Sequence, residues 1–126
     1  MHAFQRRPAS SSAEPVLAQE WAHGFCYIAR QSRLWFGQDR REPVDWRPAV
    51  SLKREGDDFY VLPGTRRSNP DFFHLTPQDG LYKQARSEAG DTYLCPRYEA
   101  VNRIDLKEIG VLHHPVRVRL MQWLRG

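Results

Sequence analysis

Two apolar runs, AVSL from Ala49 and FYVLP from Phe59, flank the charged stretch KREGDD. Short runs rich in aromatic and β-branched residues favour strands, and Gly56 inside the charged stretch suits a tight reversal. The pattern predicts an antiparallel hairpin. Around it, GFCYIA predicts an earlier strand and FFHL, TYLCP and AVNRIDL predict later ones. KEIGVL is expected to turn around Gly110. HPVRVRLMQWL is expected to close the domain as a helix, with Pro115 near its start. Val116, Leu120, Trp123 and Leu124 then share one face at helical spacing, with Arg117 and Arg125 off it. Upstream, Ser12 is placed to cap a short helix through VLAQEWAH, with Pro15 in its first turn and Gly24 at its end. The stretch TPQDGLYKQARSEAGD reads as a turn with one helical turn, and residues 31–46 as a long connection. The expectation is a mainly β protein: a small, strongly curved, barrel-like sheet of five to six short strands with a C-terminal helix.

Composition bounds the rest. A length of 126 residues supports one modest core, and 40% hydrophobic with 12% aromatic residues excludes a disordered chain. Residues 1–12, containing PASSS, read as a flexible lead, and 13–126 as a single domain. No apolar run approaches the roughly 20 residues that span a bilayer, and the N-terminal stretch has no signal-peptide core, so a cytoplasmic location is expected. Cys26 and Cys95 lack metal or redox spacing and read as reduced core thiols. The net charge of +4 is modest. Its distribution is more telling: residues 30–67 hold nine Lys/Arg interleaved with six acids. Arginines gathered at loop ends beside aromatics fit a phosphate-bearing partner.

The hairpin and its flanks carry a resemblance. GFCYIA, WRPAVSL and VLPGTRRS follow in order the Gly-aromatic strand, the Arg-Pro-x-hydrophobic strand and the Pro-x-Thr/Ser element of the PemK/MazF family of toxin endoribonucleases. CPRYEAVNRIDLKEIG is similar to that family's later segment, in which an arginine and an acid sit two apart. The resemblance covers Gly24 to Leu106, and the closing helix also fits. It implies an SH3-like barrel that dimerises, single-stranded RNA as substrate, cleavage by 2′-hydroxyl attack without metal or cofactor, and an antitoxin as partner. It also implies the catalytic set Arg47, Thr65, Arg97 and Glu99, with Glu99 standing where Asp is common.

In-line attack needs a base for the 2′-hydroxyl proton, donors for the developing charge and an acid for the leaving oxygen. Glu99 offers a base, Arg47 and Arg97 offer bidentate forks for phosphate oxygens, and Thr65 a further donor. Arg40, Arg41, Arg66 and Arg67 would contact the RNA backbone, and Trp35 a base. The first loop, RQSRLWFGQDRREPVD, departs from the family's Pro-Thr-Gly turn: it is longer and has no histidine, which some members use there for catalysis. That departure favours an alternative, a non-catalytic nucleic-acid- or protein-binding module on the same barrel. Each residue has a plainer role as well. Arg47 can pair with a nearby acid, Thr65 can be a turn residue, and Glu99 a solvated carboxylate. His74, alternating with apolar neighbours in FFHL, reads as structural, and His113–His114 as a turn before the helix. Trp35, Phe36 and Trp46 can either stack on bases or be buried under the loop.

Overall fold

A computed structural model describes residues 5–6, 24–38, 44–80 and 90–126. The expected helix through VLAQEWAH, and Arg40 and Arg41, lie outside the described residues. The fold is mainly β: seven antiparallel strands, a two-residue parallel addition and a C-terminal helix. In chain order the strands are β1 Gln5–Arg6, β2 Phe25–Arg30, β3 Trp46–Glu55, β4 Asp58–Thr65, β5 Phe73–Leu75, β6 Thr92–Leu94, β7 Arg97–Asn102 and β8 Leu106–Val111; the helix, α1, spans His114–Arg125. The main sheet runs β1-β7-β4-β3-β2-β8, and β6 joins β4 to β5 beside it. Among the described residues, no ladder joins the outer strands β1 and β8, so the hydrogen bonds do not close a barrel.

The hairpin forms as its local sequence dictates, and is longer than expected. Glu55 pairs with Asp58, so Gly56 and Asp57 make a two-residue turn, and Gly56 adopts φ +60°. That left-handed conformation carries little penalty only for glycine. The register slips by one residue between Ser51 and Lys53, a bulge that lets Leu52 reach the core while Lys53 sits opposite Tyr60.

Two expectations change. KEIGVL is a strand, not a turn: Gly110 is extended and pairs with Cys26, because β2 needs a partner on its second edge. AVNRIDL is not one strand either. Asn102 accepts a hydrogen bond from Ile104 N at 3.0 Å, ending β7 in a 3-10 turn at Arg103–Asp105 before β8 begins. The flexible lead is also partly tied down, since Gln5 and Arg6 lie parallel to Arg97 and Tyr98.

Both faces of the sheet are covered. On one face Cys26, Val50, Leu52, Tyr60, Leu62, Leu75, Leu94 and Tyr98 pack with Val116 and Leu120 of α1. Trp123 adds a ring contact to Phe73 at 5.3 Å, and the stem of Arg117, expected off this face, lies against Gly24. On the other face Ala29, Ala49, Phe59, Val61 and Val101 form a smaller core. Its lid is Leu34, from the first loop. Strand β4 is therefore buried on both sides from Phe59 to Thr65, which explains why FYVLP is a continuous apolar run.

Cys26 and Cys95 are free and buried, as expected. Burial in apolar surroundings pushes the Cys26 thiol up to about 12, against a smaller opposing hydrogen bond to the Leu112 backbone. Burial likewise raises Cys95, with the backbone and charge of Arg97 pulling the other way. Thiolate is the reactive form, so both residues should resist iodoacetamide at pH 8 in the native protein and react fully in urea. Mass spectrometry of the two samples checks this, and fast native labelling of Cys26 would show that the larger core is loose.

Candidate functional site

Strand register gathers the family-matched residues at the C-terminal end of β4. Ala49 pairs with Pro63 and Val61 with Glu99. Carried two residues further, the first register sets Arg47 level with Thr65, while Arg97 stands two residues before Glu99 at the start of β7. Arg47 confirms this by donating from Nη1 to the Gly64 carbonyl at 3.1 Å. All four residues point away from α1, at the margin of the smaller core. Thr65 Oγ1 accepts the Arg67 N–H at 3.2 Å, which leaves its own hydrogen to donate.

The first loop lies across this end. A 3-10 turn at Gln31–Arg33 leads to Leu34, which plugs the smaller core, and then to Trp35–Gln38. Glu99 holds the loop down: Trp35 N donates to Oε1 at 2.7 Å and Phe36 N to Oε2 at 3.0 Å. The Phe36 carbonyl accepts from Gln31 Nε2 at 2.6 Å, and Gln31 Oε1 in turn accepts from Arg47 Nε. The Arg47 guanidinium stands over the Phe36 ring at 4.9 Å, while that ring meets Phe72 at 6.0 Å on its way to β5. Arg47 and Glu99, 3% and 5% exposed, are the two buried charged side chains among the described residues. One chain of hydrogen bonds through Phe36 and Gln31 links them. Gly37, at φ +82°, completes the bend, and a Cβ there would collide with the Arg47 guanidinium.

In this arrangement the two central charges are neither an exposed ion pair nor open to a ligand. Glu99 spends both oxygens on backbone amides and acts as a clamp. Arg97, Arg66 and Arg67 are exposed around it, and the Arg66 guanidinium lies against Gly90. Trp35 is 70% exposed, so the loop buries Leu34 and partly buries Phe36 but presents the indole outward. Trp46, exposed, carries the Arg30 guanidinium over its ring at 4.7 Å, and Arg30 and Arg33 both reach Asp105.

One residue read as structural belongs on this face. His74 alternates between Phe73 and Leu75, but those two neighbours are buried under α1, so the imidazole emerges on the opposite side. Alternation in FFHL was the available signal. Gln31 had no signal at all, because its two partners are a carbonyl and an arginine distant in sequence.

No protein-family model matches the sequence, and no curated protein matches it significantly. The PemK/MazF resemblance therefore rests on the quoted motifs and their order.

Adjacent residues of the loop should behave oppositely. Leu34→Ala should cost about 2–5 kcal/mol in urea denaturation, by opening a cavity in the smaller core. Trp35→Ala should stay within about 0.5 kcal/mol of the parent, as for a surface substitution. Equal losses would mean that the loop does not lie this way. Gly37→Ala should cost more than about 1 kcal/mol, since both its positive φ and the Arg47 guanidinium oppose a side chain.

Proposed function

We propose that the chain is a PemK/MazF-like toxin: a metal-independent endoribonuclease that cleaves single-stranded RNA, works as a homodimer on an SH3-like barrel, and is neutralised by an antitoxin. The observation that carries this reading is the gathering of Arg47, Thr65, Arg97 and Glu99, from three separate strands, at one end of β4. Thr65 and Arg97 would meet the scissile phosphate directly, with Arg66 and Arg67 along the backbone. Arg47 would reach a phosphate oxygen once the loop at Trp35–Gln38 is displaced. The exposed Trp35 offers a surface on which a base can stack, or to which an antitoxin segment can anchor.

A second reading has its own observation. Arg47 and Glu99 are buried and engaged by the loop, which favours a non-catalytic module that binds nucleic acid or protein on the same face. Among the described residues no helix is long and apolar enough to cross a membrane; a cytoplasmic site of action belongs to the proposed toxin reading.

Incubating the purified chain with a mixed-sequence single-stranded RNA in EDTA separates the readings. The toxin reading expects cleavage leaving a 2′,3′-cyclic phosphate; the module reading expects binding without cleavage. Either way, affinity should fall with salt at a log–log slope of about −0.7 per phosphate contact. Arg66→Ala and Arg67→Ala should each lower the slope by about one contact without moving the unfolding midpoint. Salt-independent association, or none at low salt, would remove RNA as the ligand.

A further inference from the structure

While the loop stays down Glu99 is committed to it, so the site in this arrangement has no open group to take a proton from a 2′-hydroxyl. The next two strands provide one. Thr65 pairs with Tyr93 and Tyr93 pairs with His74, so the three side chains stand in a row on the face away from α1. With Arg47 level with Thr65, the row runs Arg47, Thr65, Tyr93, His74 across β3, β4, β6 and β5. Phe73 and Leu75 beside His74, and Leu94 beside Tyr93, turn the other way into the larger core, which fixes the direction of the row.

We infer that His74 is the general base of this site, oriented by Asp91 and Tyr93, and that the substrate phosphodiester lies over the Tyr93 ring, from Thr65 to His74. The inference rests on the ribonuclease reading and names the group which that reading lacks.

The imidazole is held as a proton-transfer group requires. Its Nε2 is 2.7 Å from Asp91 Oδ2. An ionised carboxylate only accepts, so Nε2 carries the hydrogen, and the neutral form of the ring then presents a lone pair at Nδ1. The ring stacks on Tyr93 with centroids 4.7 Å apart and planes 8° apart, which fixes its rotation about the bond to the backbone. Yet the His74 side chain remains 47% exposed and Asp91 45%. An exposed ion pair alone contributes little to stability, whereas a carboxylate-oriented, ring-stacked and open imidazole is suited to catalysis. Arg66, lying against Gly90, adds positive charge next to Asp91, on the path a phosphate chain would follow.

Spacing also fits. Neighbouring strands lie about 4.8 Å apart, so Thr65 and His74, two strands apart, are separated by roughly 10 Å at the backbone. The Tyr93 ring stands between them, so a phosphodiester reaching from Thr65 to His74 passes over that ring. Thr65 donates to a non-bridging oxygen and Arg97 faces the developing charge. The 2′-hydroxyl proton passes to His74 Nδ1 as the 2′-oxygen bonds to phosphorus. The bond from phosphorus to the 5′-oxygen breaks, and that oxygen takes a proton from water. The resulting hydroxide is neutralised by the proton on His74, so the enzyme returns unchanged and the products are a 2′,3′-cyclic phosphate and a 5′-hydroxyl.

The test uses the full chain, a labelled single-stranded RNA in EDTA, and a 2′-O-methyl copy of that RNA to measure binding without cleavage. His74→Ala should slow cleavage at least about 100-fold, bind the 2′-O-methyl RNA as the parent does, and regain part of its rate with imidazole in the buffer. Asp91→Asn, which removes only the positioning carboxylate, should slow cleavage less and show no imidazole rescue. His74→Gln, which keeps a polar side chain of similar reach, should be as slow as His74→Ala with an unchanged unfolding midpoint. If the parent cleaves and His74→Ala cleaves equally fast, His74 is not the base, although the ribonuclease reading survives. If His74→Ala loses binding in proportion to rate, or is not rescued, its role is contact rather than catalysis. If the parent cleaves no RNA, the ribonuclease reading falls and this inference falls with it.

Discussion

Glu99 accepts hydrogen bonds from two consecutive backbone amides, Trp35 and Phe36, and those bonds determine what covers the second face of the sheet. A carboxylate inside a protein must be compensated, and two charge-assisted bonds to backbone N–H groups are a strong way to do it. The amides gain as well, because a loop laid on a sheet would otherwise leave its own donors buried and unmatched. With the backbone fixed at those two points, Leu34 reaches the smaller core and Phe36 slides under Arg47. Loop, core and arginine thus share one support.

That support is polar, which sets it apart from the helix side. There α1 packs through Val116, Leu120 and Trp123, an apolar contact stabilised by the area removed from water. The loop side has only a few apolar residues of its own, and its hold is concentrated in Glu99, Gln31 and Arg47. A face held by a few hydrogen bonds opens more readily than one held by packing. The asymmetry puts the adaptable surface where the arginines and Trp35 are, and the rigid one beneath.

The parts of this fold that were legible in the sequence are the local ones. The hairpin was readable because its turn glycine and both apolar runs lie within a short stretch, and α1 because its apolar spacing and Pro115 are adjacent in sequence. Strand β8 was not, because Gly110 marks a turn on local grounds and only the distant need of β2 for an edge partner overrides it. Motif order leads one to expect Arg47, Thr65, Arg97 and Glu99 together, but carries no sign that Arg47, Thr65 and Glu99 are buried. The partners that bury them are backbone amides and a glutamine, which leave no recognisable pattern in a sequence. For His74 the alternation in FFHL is legible, but which of the two faces is already full depends on α1 and cannot be read from FFHL alone.

The order of the strands has a consequence for how the molecule comes into being. β2, near position 25, is paired along one edge by β3, its neighbour in sequence, but along the other by β8, whose last pairing residue is Val111. Glu99 likewise comes long after the loop it holds. Contacts between such distant segments form late, because the intervening chain must first surrender its freedom. On a ribosome, the first half of the sheet can assemble early as the β2-β3-β4 meander, while its second apolar face waits unsealed for residues still to be synthesised. The arginine-lined end of β4 therefore takes shape late. A nascent chain that has not yet made β7 and β8 has the hairpin but not the site.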